Sequence, residues 1–397
     1  MDLTIYNNKL SGRIAAISSK SYAQRALFLT LLSEGDSEII IKDYSDDIEM
    51  AKAITSKIKS STNVDDYLEL DMGESATCLR LIIPILGVLG QKAILIRRKS
   101  LVSRTIDLYH QILPKHGMKI KEDGDKVIID GKLHAGSYTL PGNVSSQFIS
   151  GLLLALGSLE QKSKVQVSTE IESLAYINMT MDIMKKFFGY VSKDGNNFIC
   201  GGGYQGTKYI CEGDWSSSLF FLVGGAEVLG LNKDSLQADI KAIDYLRKLG
   251  YTNQSQKNFL LKRTISPEKN RTLDASQMPD AIPILSIASA LVPGHTEVIN
   301  VSRLRLKESD RVKSTCHMLE NLGLDIDIGP NNFSFYSNDS LKSCKIDSHG
   351  DHRIAMSASI AGTFANGAIK IMKADCISKS YPEFYKDFKK LGGFYVK

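Results

Sequence analysis

One plan recurs six times along this 397-residue chain, and it limits the fold more than any other feature. A short polar turn rich in Ser, Gly or Asp leads into an apolar helix of small residues. The six segments open at Ser18 (SSKSYAQRALFLTLLSEG), Glu74 (ESATCLRLIIPILGVLG), Val144 (VSSQFISGLLLALGS), Asp214 (DWSSSLFFLVGGAEVLG), Pro279 (PDAIPILSIASALVPG) and Gly350 (GDHRIAMSASIAGTFANG). A second, more amphipathic helix follows each. Five of these (IDLYHQILPKHG, INMTMDIMKKFFG, IKAIDYLRKLG, DRVKSTCHMLENLG and FYKDFKKLGG) end at a Gly suited to a left-handed cap, whereas DDIEMAKAITSKI has none. β-Branched runs such as SEIIIKD, AILIRRKS, KVIIDG, KVQVSTE, TEVINVS and AIKIMKA read as strands between the helices. Such units are too long and too uneven for a solenoid, so two α/β (α+β) domains of three units each are expected. No Pro- or Ser-rich linker interrupts the chain, so crossings between domains would be short and would serve as hinges.

The first helix of each unit is apolar nearly all round, with its polar groups confined to the first turn. A Ser there is most simply an N-cap. A cation there opposes the helix dipole, yet Lys20, Arg80 and Arg353 fall at or near these turns. Repeated violations of one kind point to a shared anion. The string LRLKESDR from Leu304 adds Lys307 and Arg311, and a helix starting near Glu308 would put Glu308 and Arg311 on one face. Asp280 opens an almost wholly apolar helix, where an acidic cap and a catalytic carboxylate are equally good readings. His352 has no second ligand at metal spacing, so no metal is expected.

Other classes are excluded by composition and pattern. With 43% hydrophobic and 23% charged residues the chain is an ordinary globular protein, and a net charge of +5 is too slight and unclustered for nucleic acid. Pro141 to Leu159, the later part of the longest stretch without Asp, Glu, Lys or Arg, reads as a loop entering a buried helix, so no membrane partner is expected. The N-terminal residues lack an apolar signal core, and six Cys without a CxxC pair suit reduced, cytoplasmic thiols. There is no GxxxxGK[ST] loop and no GxSxG elbow. GGGYQG at Gly201 is expected to lack the preceding strand and following helix of a dinucleotide fingerprint.

Taken together, SKSYAQRAL, PGNVSSQFISGLLLA, LKESDR, GDHRIAM and SKSYPEF resemble the 3-phosphoshikimate 1-carboxyvinyltransferase (EPSP synthase) family, in order and over essentially the full length. The resemblance implies two domains, each of three βαβαββ-type units around a pseudo-threefold axis, with the active site in the interdomain cleft. Residues 1–12 with 213–397 would form one domain and 13–212 the other, with crossings near 11–14 and 211–214 and the N-terminal strand joining the C-terminal half. It implies transfer of the enolpyruvyl group of phosphoenolpyruvate to the 5-hydroxyl of shikimate 3-phosphate by a monomer without metal or organic cofactor. By motif, Lys20, Ser21, Arg25, Ser145, Ser146, Gln147 and Ser173 would bind shikimate 3-phosphate. Arg80, Arg104, Arg311, Arg353 and Lys379, with Lys20 and Gln147, would hold phosphoenolpyruvate. Asp280 would be the base on the hydroxyl with Lys307 beside it, and Glu308 would donate a proton with Lys20 contributing.

Several positions depart from the family pattern. Glu74 stands where Asn is usual, Thr105 where Pro is common, Leu174-Ala175 where Lys-Pro precedes Tyr176, and Arg303 where an Asn often contacts phosphate. Ala76 replaces a Gly that borders the pocket shared by phosphoenolpyruvate and the inhibitor glyphosate. Two other functions compete with this one. A sister enolpyruvyl transferase acting on UDP-N-acetylglucosamine carries a Cys loop and a Lys-Asn motif, both missing here. In a non-catalytic polyanion-binding protein, Asp280 and Glu308 would be mere caps.

Overall fold

The computed structural model describes residues 1–397. The chain forms two compact units, one of Met1–Ile17 with Glu212–Lys397 and one of Ser18–Cys211, each with its own apolar core. The chain passes from one unit to the other between Ile17 and Ser18 and back between Cys211 and Glu212. Arg13–Ala15 pairs in parallel with Glu227–Leu229 within the first unit.

Four sheets share one topology. In the Ser18–Cys211 unit, Leu68–Asp71 pairs in parallel with Ala93–Ile96, which pairs antiparallel with Lys126–Gly131, itself antiparallel to Met118–Asp123. Ser137–Leu140, Ser163–Val167, Asn197–Gly201 and Tyr190–Asp194 repeat that order. The other unit repeats it with Asn270–Asp274, Gly294–Ile299, Asn332–Ser337 and Ile326–Ile328. Its second sheet runs Lys342–Asp347, Asn366–Met372, Leu3–Tyr6 and Phe394–Val396, so the third place is filled by the start of the chain.

Each parallel pair needs a crossover, and a buried helix supplies it. The Ala76–Leu89, Ser146–Gly157, Ile282–Ala290 and His352–Gly362 helices fill this role, whereas Lys20–Leu29 and Trp215–Gly224 in the two remaining repeats lie between strands that pair elsewhere. All residues of Ile282–Ala290 and His352–Gly362 are buried, as apolar and small side chains on every face require. Caps fix where they start: Ser75 accepts from the Cys78 N–H, Asp214 from that of Ser217, and Asp351 from that of Arg353. No helix is long and apolar enough to cross a membrane.

Three local expectations are corrected. Gly117, Gly250, Gly323 and Gly392 end their helices with φ between +88° and +100°, but after Leu174–Lys186 the left-handed residue is Phe188, at φ +61°. Gly189 is needed for a different reason, since a Cβ there would lie 2.3 Å from the Tyr204 ring. GGGYQG does follow a strand, Asn197–Gly201, and leads into another short one, Tyr204–Gln205, where a fingerprint requires a helix. The helix after LKESD begins at Arg311 with Asp310 as its cap, so Glu308 lies ahead of it.

Candidate functional site

In the Met1–Ile17 and Glu212–Lys397 unit, six of the expected site residues join in one ion-pair network. Its hub is Arg311, 1% exposed at the side chain, which meets Asp280 at 2.6 Å, Glu308 at 2.7 Å and Asp351 at 2.8 Å. Lys307 reaches Asp280 at 3.4 Å, Arg353 reaches its other oxygen at 3.7 Å, and Lys379 reaches Glu308 at 3.6 Å. Four chain segments converge here: the turn before Ile282–Ala290, the Ser302–Leu306 turn with its continuation, the start of His352–Gly362, and the Ala374–Lys379 turn.

The N-cap position of the following helix is held by Ala281, so Asp280 does not occupy the capping position itself. Burial works against its charge, but Lys307, Arg311 and Arg353 together outweigh burial and hold the carboxyl well below the usual carboxylate range. Burial lowers the Lys307 ammonium from its ordinary value, with Asp280 opposing that shift. Burial also works against the Arg311 cation, and Asp351, Glu308 and Asp280 overcome it, raising Arg311 well above its usual value. Arg353 is 2% exposed, and its Nε and Nη1 donate no hydrogen bond. A buried guanidinium with free donors beside an ionised carboxylate suits a carboxylate or phosphate ligand.

The Ser18–Cys211 unit carries separate clusters. Lys20, the first residue of its helix, pairs with Asp47 at 2.8 Å, which answers the unfavourable placement of a cation at a helix start. Arg80 lies one turn into Ala76–Leu89. Its Nη1 donates to Gln147 Oε1 at 2.9 Å and its Nη2 to the Thr105 carbonyl at 2.8 Å, while the Phe148 ring lies 4.8 Å below the guanidinium. Gln147 is oriented in turn by donating to Thr77 Oγ1 at 2.9 Å.

The backbone under Arg80 is specialised. Pro84 cannot donate to the Arg80 carbonyl four residues earlier, and the buried Tyr109 hydroxyl does so at 2.6 Å. Gly151 makes the neighbouring helix fit, since a Cβ there would lie 2.5 Å from both that carbonyl and that hydroxyl.

Arg25 belongs to a third cluster, donating to Thr180 Oγ1 at 2.8 Å, the Ser21 carbonyl at 2.7 Å and the Tyr176 carbonyl at 3.4 Å. Full burial brings its guanidinium down to about 10. Ser145 caps Ser146–Gly157 by accepting from the Gln147 N–H, and Ser146 is buried in the first turn. Ser173, 1% exposed, is left-handed at φ +54°. Arg104 closes the Lys99–Ser103 turn, and its buried Nε makes no hydrogen bond.

Thus Asp280, Lys307, Glu308, Arg311, Arg353 and Lys379 are one constellation, Arg80 and Gln147 another, and Lys20 and Arg25 have separate partners. No sequence pattern singles out Asp47, Thr77, Tyr109, Thr180 or Asp351, which the structure places in these clusters. Asp47 in particular reads as an ordinary acidic first-turn residue of Asp46–Lys59.

Residues 6–388 match the family model described as EPSP synthase (3-phosphoshikimate 1-carboxyvinyltransferase). Among curated proteins, the 3-phosphoshikimate 1-carboxyvinyltransferase of Clostridium beijerinckii is 36% identical, covering 99% of this chain and 98% of its own. That of Clostridioides difficile is also 36% identical, covering 98% and 97%. Among solved structures, an EPSP synthase from Acinetobacter baumannii superposes over 100% of both chains with a TM-score of 0.79 at 23% identity. The enolpyruvyl transferase NikO from Streptomyces tendae gives a TM-score of 0.79 at 13% identity, covering 100% of this chain and 98% of its own. These two establish likeness of fold.

Proposed function

Because the chain belongs to the EPSP synthase family, we propose that it transfers the enolpyruvyl group of phosphoenolpyruvate to the 5-hydroxyl of shikimate 3-phosphate. A proton adds to the methylene carbon of phosphoenolpyruvate. The hydroxyl oxygen bonds to the carbon bearing phosphate and gives up its own proton, forming a tetrahedral intermediate. Loss of a proton from the new methyl group, with departure of phosphate, restores the double bond and yields 5-enolpyruvylshikimate 3-phosphate.

The observation that carries this reading is the Asp280 carboxylate, held ionised by Lys307, Arg311 and Arg353. An ionised carboxylate fixed by neighbours is a ready acceptor for the hydroxyl proton. Lys307 stabilises charge at the same oxygen, and Glu308, oriented by Arg311 and Lys379, supplies the proton to the methylene carbon with Lys20 contributing. Arg80, Arg104, Arg311, Arg353, Lys379, Lys20 and Gln147 receive the phosphate and carboxylate of phosphoenolpyruvate. Lys20, Ser21, Arg25, Ser145, Ser146, Gln147 and Ser173 receive shikimate 3-phosphate. A cytoplasmic monomer belongs to the same reading.

Phosphate release from phosphoenolpyruvate tests it, with shikimate 3-phosphate or UDP-N-acetylglucosamine as acceptor. Release with shikimate 3-phosphate alone is the expected result. Release only with the nucleotide sugar would assign the sister reaction, and binding without any release would leave a polyanion-binding protein.

A further inference from the structure

We infer that Glu74 is a positioning residue for phosphoenolpyruvate, a carboxylate that staples the turn carrying Arg104 to the start of the Ala76–Leu89 helix. The inference rests on Arg104 being a ligand of that substrate, and it gives a role to a position where the family usually has Asn.

Glu74 lies just ahead of Ser75, the cap of the helix that presents Arg80. Both its carboxylate oxygens reach across to the neighbouring segment. Oε2 accepts from Ser100 Oγ at 3.0 Å, and Oε1 pairs with Lys99 Nζ at 3.0 Å. Lys99 and Ser100 open the Lys99–Ser103 turn that Arg104 closes, and Lys99 is left-handed at φ +44°, so the chain bends where the carboxylate grips it. The same two segments are joined on either side of this grip. Before it, the Arg98 N–H donates to the Gly73 carbonyl at 2.8 Å, and Arg98 Nε to Asp71 Oδ2 at 2.8 Å. After it, Arg80 Nη2 donates to the Thr105 carbonyl. Inside the turn, Ser103 Oγ donates to the Ser100 carbonyl at 3.0 Å and the Arg104 N–H to the Leu101 carbonyl at 3.1 Å, so a shift of Ser100 carries through to Arg104.

The staple gives the fold little. Ser75 already caps the helix, and the Lys99 side chain is 80% exposed, where an ion pair contributes little stability. A carboxylate near a proposed anion site also carries an electrostatic cost, which Lys99 offsets. What the staple supplies is geometry. The buried Nε of Arg104 makes no hydrogen bond, so the aim of this guanidinium depends on the backbone that carries it. Recognition of a planar carboxylate or a phosphate by a guanidinium is sensitive to that aim.

Steady-state kinetics with each substrate varied in turn tests this. Glu74→Ala should raise KM for phosphoenolpyruvate about three- to tenfold while leaving KM for shikimate 3-phosphate as it is, a split that a general loss of folded enzyme does not produce. Glu74→Gln drops the charge but keeps an acceptor for Ser100, so its KM should rise less. In an Arg104→Ala background, Glu74→Ala should add nothing further, because the residue it positions is gone. An unchanged or lower KM for phosphoenolpyruvate in Glu74→Ala would overturn the inference, since the carboxylate would then act only by its charge. So would equal rises for both substrates, a rise in Glu74→Gln as large as in Glu74→Ala, or additive effects in the double variant. Arg104→Ala separates the two claims. A wild-type KM for phosphoenolpyruvate there defeats the ligand assignment itself, whereas a raised KM in Arg104→Ala beside a wild-type-like Glu74→Ala defeats only the role of Glu74.

Discussion

The Tyr109 hydroxyl donates to the Arg80 carbonyl, the one acceptor that Pro84 leaves without a helical partner. A residue far along the chain thus repairs the helix directly beneath a guanidinium assigned to phosphoenolpyruvate. Tyr109→Phe strands that carbonyl in the core and should cost about 1–3 kcal/mol. Restoring the missing N–H with Pro84→Ala should recover part of the loss, so the double variant is more stable than Tyr109→Phe alone. Urea unfolding of the four proteins measures the coupling, and additive effects would deny it.

Removing the proposed base is a test of chemistry more than of binding. Asp280→Asn should bind both substrates yet lose roughly 10²–10⁴ in kcat. Steady-state kinetics with calorimetric binding decides, and unchanged turnover would reject the assignment.

Arg311 alone contacts three carboxylates, from Asp280, Glu308 and Asp351. Arg311→Met would leave Asp351 buried, and Asp280 and Glu308 half-buried, without their common cation, and breaking a buried pair typically costs about 3–5 kcal/mol. The native Asp280 carboxyl lies below its unfolded value, so its stabilisation is present above the unfolded value and is lost as pH falls through the native one. The gap between variant and wild type should therefore be widest near neutrality and narrow below about pH 4. Denaturation curves at pH 7 and pH 3.5 check this.

Asp239, buried in the Ala238–Lys241 turn, has the opposite sign. Its native value of about 6 lies above the unfolded one, so ionising it weakens the fold as pH rises between the two values. Asp239→Asn should match the wild type near pH 4 and melt at a higher temperature at pH 8. Equal melting temperatures at pH 8 would argue against a strained carboxylate.

Ala76, buried at the first position of its helix, carries a methyl group where the family usually has Gly. If that methyl crowds the longer inhibitor more than phosphoenolpyruvate, Ala76→Gly should bind glyphosate about tenfold or more tightly, since overpacking typically costs ~1–3 kcal/mol. An inhibition titration with equal sensitivity in both proteins would remove the steric argument.

Much of this architecture is legible in the sequence because each buried helix announces itself by being apolar on every side and polar only at its start. KESDR and GDHR are equally readable, since charged residues at the mouth of such helices need partners. Asp47 and Tyr109 escape notice for a physical reason. Each acts on a residue brought near only by packing, and each locally resembles something routine: a first-turn acid, an amphipathic helix aromatic. Gly189 is similar, for its small size answers to the Tyr204 ring rather than to its own backbone angles. The short strand before GGGYQG was obscured because NFICG alternates only briefly.

The placement of Leu3–Tyr6 between Asn366–Met372 and Phe394–Val396 has a consequence for biosynthesis. The ribosome delivers this strand before the whole of Ser18–Cys211, and its two neighbours after it. Ser18–Cys211 can collapse around its own core as soon as it emerges. Leu3–Tyr6 must stay unpaired while that unit is made, and its sheet closes only after Asn366–Met372 and Phe394–Val396 have emerged.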